Sequence, residues 1–481
     1  MSGMEETPAL HLEAPREQVL ERAAALIVEA WRSFDHPRAD QPPIDDRVWT
    51  MLQAPLPEGP ADVAAVLDDA ARILDETIAQ PRPRYFAFVG SSGLEIGVIG
   101  DALAACFDAN MAVYAGAASE IEDQAVRWVG ELIGFPTGAG AFTSGGTVSN
   151  LTALAAAREW ALPGSRATGM TGTSTAVYCS QEAHYSVTRA VELLGIGGRQ
   201  VRGLPSDGHR RLLPAAVAEA IETDRAAGVT PVAVVATAGT TLTGAIDPIA
   251  ELADVCGTQR VWLHVDGAYG LPAAAVTSKR SAFAGLDRAD SISLDAHKWL
   301  YLPKACGVVL VRRREDLHHS FSHDEGYMPH ERAQEHAVDV TLEYSRPFRA
   351  LKLWMAFRAH GAAAFRTAIE RNLRQAHLLY ETVSAAPDME TLGEAPQLSI
   401  VPFQHVPAGH ADRNGHNARL ALALQNDGRV WVAPAKIDNR VYLRPCFVNY
   451  RTTDEDVLAL VDIAREVGER LAGAAEDQAM A

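Results

Sequence analysis

Hydrophobic positions divide the chain into three successive patterns, and the first covers residues 1 to about 80. Within it, apolar residues recur at helical spacing over 16–31 and 61–78, and proline-rich stretches at 42–43 and 55–60 interrupt them. This spacing predicts two or three amphipathic helices. Since so short a segment has no core of its own, we expect this arm to bury its apolar faces against another surface.

The second pattern covers about 81–345, where short β-branched runs are followed by glycine-containing turns and helical stretches. The runs lack strict alternation of polar and apolar residues, which is typical of strands buried on both faces of a parallel sheet. We therefore predict an α/β domain with a largely parallel sheet covered by helices on both sides. Its clearest strands are expected at 175–180, 232–239, 261–267, 291–297 and 306–312.

The third pattern begins after a helical stretch at 347–361 and contains a few strands and helices. LSIVPF, VWVAP and VYLRPCFV predict strands, a helix is expected at about 411–425, and Thr452 with Glu455 forms the expected capping box of a last helix. This pattern is typical of a small α+β domain. The predicted organisation is a helical arm over 1–80, a large α/β domain over 81–345, and a connecting helix with a small α+β domain over 346–481.

Composition narrows the possible classes of protein. The chain has 481 residues, of which 48% are hydrophobic and 22% charged, so disordered, collagen-like and coiled-coil structures are excluded. A net charge of −18 without a basic patch argues against nucleic acid or an anionic membrane as a partner. Five cysteines without CxxC spacing predict neither a metal site nor a disulfide framework. An acidic N-terminus without a signal pattern predicts a cytoplasmic protein.

The segment SLDAHKWLYLP contains the first candidate for catalysis, Lys298, near the end of a predicted strand. Its neighbours His297 and Trp299 lie in an otherwise apolar stretch, so the lysine is expected to be partly desolvated. Desolvation favours the neutral amine, which is the nucleophilic form of lysine. The alternative is a structural lysine whose ammonium group extends into solvent.

A second candidate, Asp266, ends another predicted strand in WLHVDGAYG. Open α/β sheets bind ligands at this carboxyl edge, and the small residues Gly267 and Ala268 leave room for a flat ring. A buried carboxylate needs a cationic partner, which a protonated pyridine nitrogen would provide. The alternative is an aspartate that only caps the following turn.

Two further segments carry candidate ligand contacts. In AFTSGGTVSNLTAL, Gly145, Gly146 and Thr147 lie between a strand and a helix, where backbone amides can bind a phosphate. The segment lacks the lysine of a Walker loop and the GxGxxG spacing of dinucleotide folds, so a nucleotide is disfavoured. In SQEAHYS, His184 follows a strand and either stacks on a ring, transfers a proton or is purely structural.

Taken together, these four segments contain the parts that pyridoxal phosphate requires, which are a Schiff-base lysine, a pyridinium partner, a phosphate site and a ring cover. The motifs HVDGAYG and DAHKWL resemble the group II pyridoxal-phosphate-dependent decarboxylases, the family of aromatic L-amino-acid and glutamate decarboxylases, over roughly 81–451. This resemblance implies a type I aminotransferase-like fold with a mainly parallel sheet of the seven-stranded type. It also implies a homodimer with its active site at the subunit interface and exchanged N-terminal arms.

The resemblance also implies a role for individual residues. Lys298 would form the internal aldimine, Asp266 would pair with the pyridine nitrogen, and His184 and Ala268 would contact opposite faces of the ring. Asp295 stands where many relatives have asparagine. The remaining cofactor contacts are expected from Gly146, Thr147, Thr241, Asp295 and His297, with Asp247 as a supporting acid.

The expected reaction is the decarboxylation of an L-amino acid to its amine and CO2, through the Lys298 aldimine and a quinonoid intermediate. The polar segment 320–339 is typical either of a mobile lid or of a solvated loop. Within it, Tyr327 is similar to the lid tyrosine that donates a proton in this family. Relatives with phenylalanine at this position form aldehydes by oxidative deamination, so Tyr327 favours simple decarboxylation.

The substrate is less determined. Tyr85, Phe86 and Phe88 are candidates for an aromatic pocket wall or for the core, and Asn110 stands where animal aromatic decarboxylases have an apolar ring. An aromatic L-amino acid is favoured, and an acidic or diamino acid is the alternative. An aldehyde-forming oxidative deaminase, another pyridoxal phosphate lyase or a transaminase is the alternative reaction. A non-catalytic regulator is disfavoured, since the acidic arm does not resemble a basic DNA-binding domain.

Overall fold

The computed structural model describes residues 15–38, 44–323, 336–408 and 412–480, with side chains described as far as 473. The strands are β1 Ala139–Thr143, β2 Thr175–Ser180, β3 Val201–Leu204, β4 Thr230–Thr237, β5 Trp262–Asp266, β6 Ser291–Asp295, β7 Gly307–Val311, β8 Met389–Thr391, β9 Phe403–His405, β10 Pro434–Ile437 and β11 Arg440–Leu443.

The α-helices are α1 Arg16–Phe34, α2 Asp46–Leu52, α3 Val63–Asp75, α4 Glu95–Phe107, α5 Ala117–Ile133, α6 Gly146–Ala161, α7 Ser165–Thr168, α8 Ser186–Leu193, α9 Pro214–Ala226, α10 Ile249–Gln259, α11 Ala296–Trp299, α12 Arg314–Phe321, α13 Ala350–Ala385, α14 Arg413–Asp427 and α15 Asp454–Met480. Short 3-10 helices lie at Gly198–Gln200, Leu271–Ala275, Arg280–Phe283, Leu286–Arg288 and Ala337–Asp339.

The larger sheet has seven strands in the order β1-β7-β6-β5-β4-β2-β3. Only β7 runs antiparallel to its neighbours in this sheet, so the prediction of a largely parallel sheet is confirmed. The register places Asp266 beside Thr237 on one neighbouring strand and beside Ser293 on the other. The carboxyl ends of the central strands therefore meet at one edge, where polar side chains are brought together.

Both faces of this sheet are buried, as the run of β-branched residues in the sequence predicts. In β4, Val234 and Ala236 belong to one buried apolar cluster, whereas Ala233 and Val235 belong to a second. Because successive side chains of a strand point to opposite faces, these two clusters are the cores on the two sides of the sheet. Polar side chains are consequently concentrated at the strand ends.

The smaller sheet has the strand order β10-β11-β9-β8 and is antiparallel, and α13, α14 and α15 pack on it. The segment around Phe86, which follows the N-terminal arm, is hydrogen-bonded to this C-terminal unit. The amide of Phe86 donates to the carbonyl of Trp431 at 2.8 Å, and the amide of Cys446 donates to the carbonyl of Phe86 at 3.0 Å. These two bonds attach the chain at Phe86 to the C-terminal unit.

The capping box of α15 lies one residue after the predicted pair. The hydroxyl of Thr453 accepts from the amide of Asp456 at 3.3 Å, and the Asp456 carboxylate accepts from the amide of Thr453 at 3.0 Å. Thr452 instead donates its hydroxyl to the carbonyl of Pro83 at 2.6 Å. The prediction for Thr452 and Glu455 is therefore wrong, because two adjacent threonines precede two possible acidic partners and spacing alone does not distinguish them.

The first three helices expose much of their apolar surface. Leu20 is 68% exposed, Trp49 55% and Leu74 67%, and Val48 is the single buried side chain among the described residues of α1, α2 and α3. The amphipathic helices predicted for this arm are thus present. None of the helices in the described ranges combines the length and the apolar character that a membrane crossing requires.

We propose for the folded chain the same three parts as for the sequence. The seven-stranded sheet lies entirely within 81–345, and the four-stranded sheet lies entirely within 346–481. The long helix α13, which contains one non-helical residue at Gly361, follows directly after the proposed boundary.

We predict that Gly140→Ala in β1 lowers the free energy of unfolding by about 2 kcal/mol, within the range for overpacking. A Cβ atom at this position would lie 2.6 Å from the carbonyl oxygen of Val309 on β7, which is backbone and cannot turn away. Differential scanning calorimetry should show a lower Tm. Gly257→Ala in α10 is the matched control, because its Cβ would meet no atom within 4 Å and alanine favours helix. Equal Tm values for the two variants would contradict this account of the packing.

Candidate active site

A cavity of about 520 Å³ lies at the carboxyl ends of β4, β5 and β6, next to the first turn of α6. All the residues predicted to contact the cofactor line it together. These residues are Gly146, Thr147, His184, Thr241, Asp266, Ala268, Asp295, His297 and Lys298. The topology explains this convergence, since strands that run in the same direction end at the same edge of the sheet.

Lys298 lies in the single turn α11, three residues after β6 ends. Its Nζ atom is 3.0 Å from Oδ2 of Asp295, and its side chain is 24% exposed whereas that of Asp295 is 3% exposed. His297 Nδ1 accepts from the amide of Cys306 at 3.2 Å, and burial lowers the pKa of His297. The lysine amine is thus held at the cavity surface by a carboxylate of its own turn.

Three donors converge on Asp266, which is 6% exposed. Asn150 Nδ2 donates to Oδ2 at 2.8 Å, while the amide of Ala268 and the hydroxyl of Ser293 each donate to Oδ1 at 3.2 Å. An ionised carboxylate accepts only, so these donors match its charged form. The structure therefore presents a fixed negative charge at the end of β5.

Helix α6 begins at Gly146 with no side-chain cap. The first backbone N–H groups of a helix have no partner within it and attract anions. A Cβ atom on Gly146 would lie 2.8 Å from Cβ of Ala268 and 3.1 Å from Oδ2 of Asp295. Glycine is thus required for the close approach of the α6 terminus to the two strand ends. The backbone N–H groups at this terminus can bind a phosphate.

His184 lines the cavity just before α8. Its Nδ1 lies 2.9 Å from the hydroxyl of Ser186 and also accepts from the amide of Ser186 at 3.3 Å. Burial lowers the pKa of His184, which keeps the ring neutral near pH 7. The ring therefore carries its proton on Nε2, the nitrogen that the amide does not contact.

Asp247 is fully buried and does not line the cavity. It accepts from the amides of Leu212 and Thr237, each at 2.7 Å, and burial raises its pKa to about 6. The bond to Thr237 fixes the end of β4 without contact to the cavity, and a supporting role of this kind was expected for Asp247 from the sequence. Thr237 Oγ1 itself is buried at the cavity without a hydrogen-bond partner in the described parts of the chain.

Of the four predicted substrate contacts, Phe88 lines the cavity and is 62% exposed. Tyr85 stacks on Trp431 with ring centroids 6.5 Å apart, and Phe86 is 1% exposed in the apolar core of the C-terminal unit. The side chain of Asn110 accepts from the backbone two residues later. These three residues do not line the cavity, which supports the structural alternative for Tyr85 and Phe86.

Tyr327, the predicted proton donor, lies outside the described residues, so its role stays a prediction. The chain is described as far as residue 323 and again from His336. His336 Nδ1 accepts from the amide of Tyr114 at 3.1 Å.

Arg444 lines the cavity and was not found by the sequence reasoning. It follows β11, is 4% exposed, and donates from Nη1 to the carbonyl of Phe88 at 3.0 Å. Its Nε and Nη2 atoms are buried and have no hydrogen-bond partner among the described residues. A buried guanidinium with free donors requires an anion. The one signal in the sequence was a single charge within the otherwise uncharged run VYLRPCFVNY.

The cavity fits pyridoxal phosphate, the cofactor implied by the sequence resemblance. Its amine, its fixed carboxylate and its uncapped helix terminus match the aldehyde, pyridine nitrogen and phosphate of that molecule. Asp295 Oδ1 is buried without a partner in the described ranges, and it would lie 3.8 Å from a Cβ atom on Gly145. A phosphate beside this acid needs compensation from neighbouring donors, so the contact expected from Asp295 is the least favourable of the set.

Comparisons with known proteins agree with this interpretation. Residues 47–406 match the family model described as "Pyridoxal-dependent decarboxylase conserved domain". An aromatic-L-amino-acid decarboxylase of Bacillus atrophaeus is 33% identical over 451 residues, which cover 92% of this chain and 92% of that protein. An L-2,4-diaminobutyrate decarboxylase of Rhizobium meliloti (strain 1021) is 35% identical over 360 residues, which cover 74% of this chain and 71% of that protein.

The fold comparison gives the same result. The crystal structure of Oryza sativa TDC with PLP and tryptamine superposes with a TM-score of 0.89 at 25% identity, covering 96% of this chain and 99% of that one. The predicted type I aminotransferase-like fold is therefore confirmed.

Proposed function

This chain belongs to the family of pyridoxal-dependent decarboxylases, and from that premise we propose that its substrate is an aromatic L-amino acid, released as the amine and CO2. One observation carries the choice of substrate. Among the described residues that line the cavity, the charged side chains are Asp266, Asp295, Lys298 and Arg444. Each of them has a role toward the cofactor, the amine or the α-carboxylate, so none of the charges in this described lining is left for an acidic or a second basic group of the substrate.

Pyridoxal phosphate, when bound, supplies an electron-withdrawing ring that stabilises negative charge at Cα after CO2 leaves. In our proposal, Asp266 holds a proton at the pyridine nitrogen, and the three donors around its carboxylate keep it in place. Lys298 provides the amine that binds the cofactor aldehyde. The amides of Gly146 and Thr147 bind the phosphate at the start of α6, with Thr241 and His297 beside them. His184 and Ala268 contact the two faces of the ring.

Arg444 binds the α-carboxylate of the substrate in this proposal. Its two free donor atoms are buried at the cavity, and its third is held by the carbonyl of Phe88. A guanidinium in this state offers a charge-assisted pair of hydrogen bonds to a carboxylate. Phe88, exposed at the same cavity, offers an aromatic surface to the substrate side chain.

Tyr327 completes the proposal as the proton donor to Cα, on the basis of the sequence resemblance alone. Its hydroxyl would direct the reaction to the amine rather than to an aldehyde. The nature of the product therefore tests this residue as well as the reaction class.

We also propose that the enzyme is a cytoplasmic homodimer with its active site at the subunit interface. All five cysteines are free thiols, as expected in a reducing compartment. The arm exposes large apolar side chains, and Phe107, at the end of α4, is 82% exposed. Exposed apolar surface of this extent is typical of an interface with another chain.

The reaction is tested by a panel of L-amino acids with the purified enzyme and added pyridoxal phosphate. We expect CO2 release and amine formation to be fastest with tryptophan, tyrosine or phenylalanine. Lys298→Ala should abolish both CO2 release and the cofactor adduct trapped by borohydride. Faster turnover of glutamate, aspartate or 2,4-diaminobutyrate would refute the aromatic substrate, and an aldehyde product would identify the oxidative alternative.

Arg444→Gln is expected to lower kcat/KM for the preferred amino acid roughly 10- to 100-fold, since it removes a charge-assisted pair of hydrogen bonds. Steady-state kinetics at saturating cofactor would measure this loss. Arg465→Gln is the matched control, because Arg465 forms a partly exposed ion pair with Asp388 away from the cavity. Equal kinetics of the two variants would exclude Arg444 as the carboxylate site.

Sedimentation velocity should give twice the chain mass for the wild-type protein. Leu20→Glu, on the exposed face of α1, should shift the equilibrium toward the monomer, because a buried charge at an interface is costly. Leu422→Glu, 59% exposed on α14, serves as the control and should leave the mass unchanged. A wild-type monomer with full activity would disprove the dimeric site.

A further inference from the structure

A network of buried polar side chains lies behind the cavity, and Asn150 is its centre. Asn150 projects from α6 and is 1% exposed. Its Nδ2 atom is 2.8 Å from Asp266 Oδ2 and 2.9 Å from Ser186 Oγ, and its Oδ1 atom is 3.0 Å from His264 Nε2. Both Nδ2 protons and the Oδ1 atom of this amide are therefore in hydrogen bonds, although neither the motifs nor the mechanism pointed to the residue.

The direction of every bond in this network follows from Asp266. A carboxylate can only accept, so the amide of Asn150 must present its Nδ2 group to it and its Oδ1 atom to His264. His264 Nε2 therefore donates. His264 Nδ1 is then the acceptor for the hydroxyl of Ser291 at 2.9 Å, which in turn accepts from Trp262 Nε1 at 2.8 Å.

The second branch leads to His184. Since Ser186 Oγ accepts from Asn150, its own proton is available for His184 Nδ1 at 2.9 Å. This places the proton of His184 on Nε2, in agreement with the contact from the amide of Ser186. The side-chain amide of Asn150 thus connects the strand-end carboxylate to Ser186, whose hydroxyl and backbone amide together favour this tautomer of His184.

The charge state of the network is consistent with this pattern. His264 is fully buried, and burial lowers its pKa well below the ordinary value. The ring is therefore neutral and offers one donor and one acceptor, as the bonds to Asn150 and Ser291 require. A buried network in which every group is satisfied holds its members in one geometry, whereas the loss of one member leaves the others unpaired.

We infer that Asn150 is a positioning residue for the cofactor site, which orients the Asp266 carboxylate and, through Ser186, fixes His184 with its proton on Nε2. This inference rests on the proposed function, because that function assigns Asp266 to the pyridine nitrogen and His184 to one face of the cofactor ring. Asn150 touches neither the cofactor nor the substrate in this role.

The first test compares cofactor affinity in Asn150→Leu and Asn417→Leu. Asn417 is also a fully buried asparagine with a complete set of hydrogen bonds, but it lies in the C-terminal unit. Titration of the apo proteins with pyridoxal phosphate should give a Kd at least about 10-fold higher for Asn150→Leu, since one donor to Asp266 is lost. The Kd of Asn417→Leu should stay within about threefold of the wild type.

The second test needs no cofactor. In apo protein labelled with 15N-histidine, the His184 signals, assigned by their loss in His184→Gln, should report an unprotonated Nδ1. Ser186→Ala should raise the population protonated at Nδ1, because only the longer contact of 3.3 Å from the backbone amide remains, and Asn150→Leu should do the same because the Ser186 hydroxyl is then free to accept. Ser186→Ala changes a single hydroxyl, so it decides the histidine branch even when Asn150→Leu does not fold.

The outcomes separate the two proposals. Failure of the wild-type protein to bind pyridoxal phosphate would overturn the proposed function, while the histidine spectra would still test the network. Tight binding by the wild type together with equal Kd values for the two leucine variants would overturn the role of Asn150 toward Asp266. An unchanged His184 tautomer in Ser186→Ala would overturn its role toward the histidine.

Discussion

A sheet that is buried on both faces accepts a polar side chain only at a strand end or where buried partners satisfy its hydrogen bonds, and this constraint positions the site. The strands of the large sheet carry apolar side chains into two separate cores, so a polar residue lies at a strand end or, like His264 and Ser293, is held by buried hydrogen bonds. Thr237, Asp266 and Ser293 occupy adjacent register positions at that edge. The concentration of polar side chains at this edge is therefore a consequence of how the core is built.

Much of this arrangement could be predicted from the sequence because its signals are local. The strand TAVYCS was predicted with the bounds that the structure has, and Lys298 and Asp266 were recognisable from their immediate neighbours. Asn150 and Arg444 were not, because their importance depends on partners far along the chain. Asn150 lies 116 residues from Asp266, and Arg444 lies 356 residues from Phe88. Neither separation leaves a pattern in any short window of sequence.

The candidate substrate contacts show a second limit of the sequence. Tyr85, Phe86 and Phe88 lie within four residues of one segment, yet two of them pack within the protein and only Phe88 of the three faces the cavity. Phe88 has a positive φ of 57°, a backbone conformation that changes the direction of the chain at this residue. Residue type alone could not indicate which of the three side chains would be exposed by that change.

The bond between Arg444 and the carbonyl of Phe88 also sets an order of events during synthesis. The two residues are 356 positions apart, which a ribosome covers in roughly 20–70 s at 5–20 residues per second. Lys298 and Asp266 leave the ribosome well before Arg444 does. A nascent chain can therefore carry the residues proposed to hold the cofactor while the residue proposed to bind the substrate carboxylate has not yet been translated.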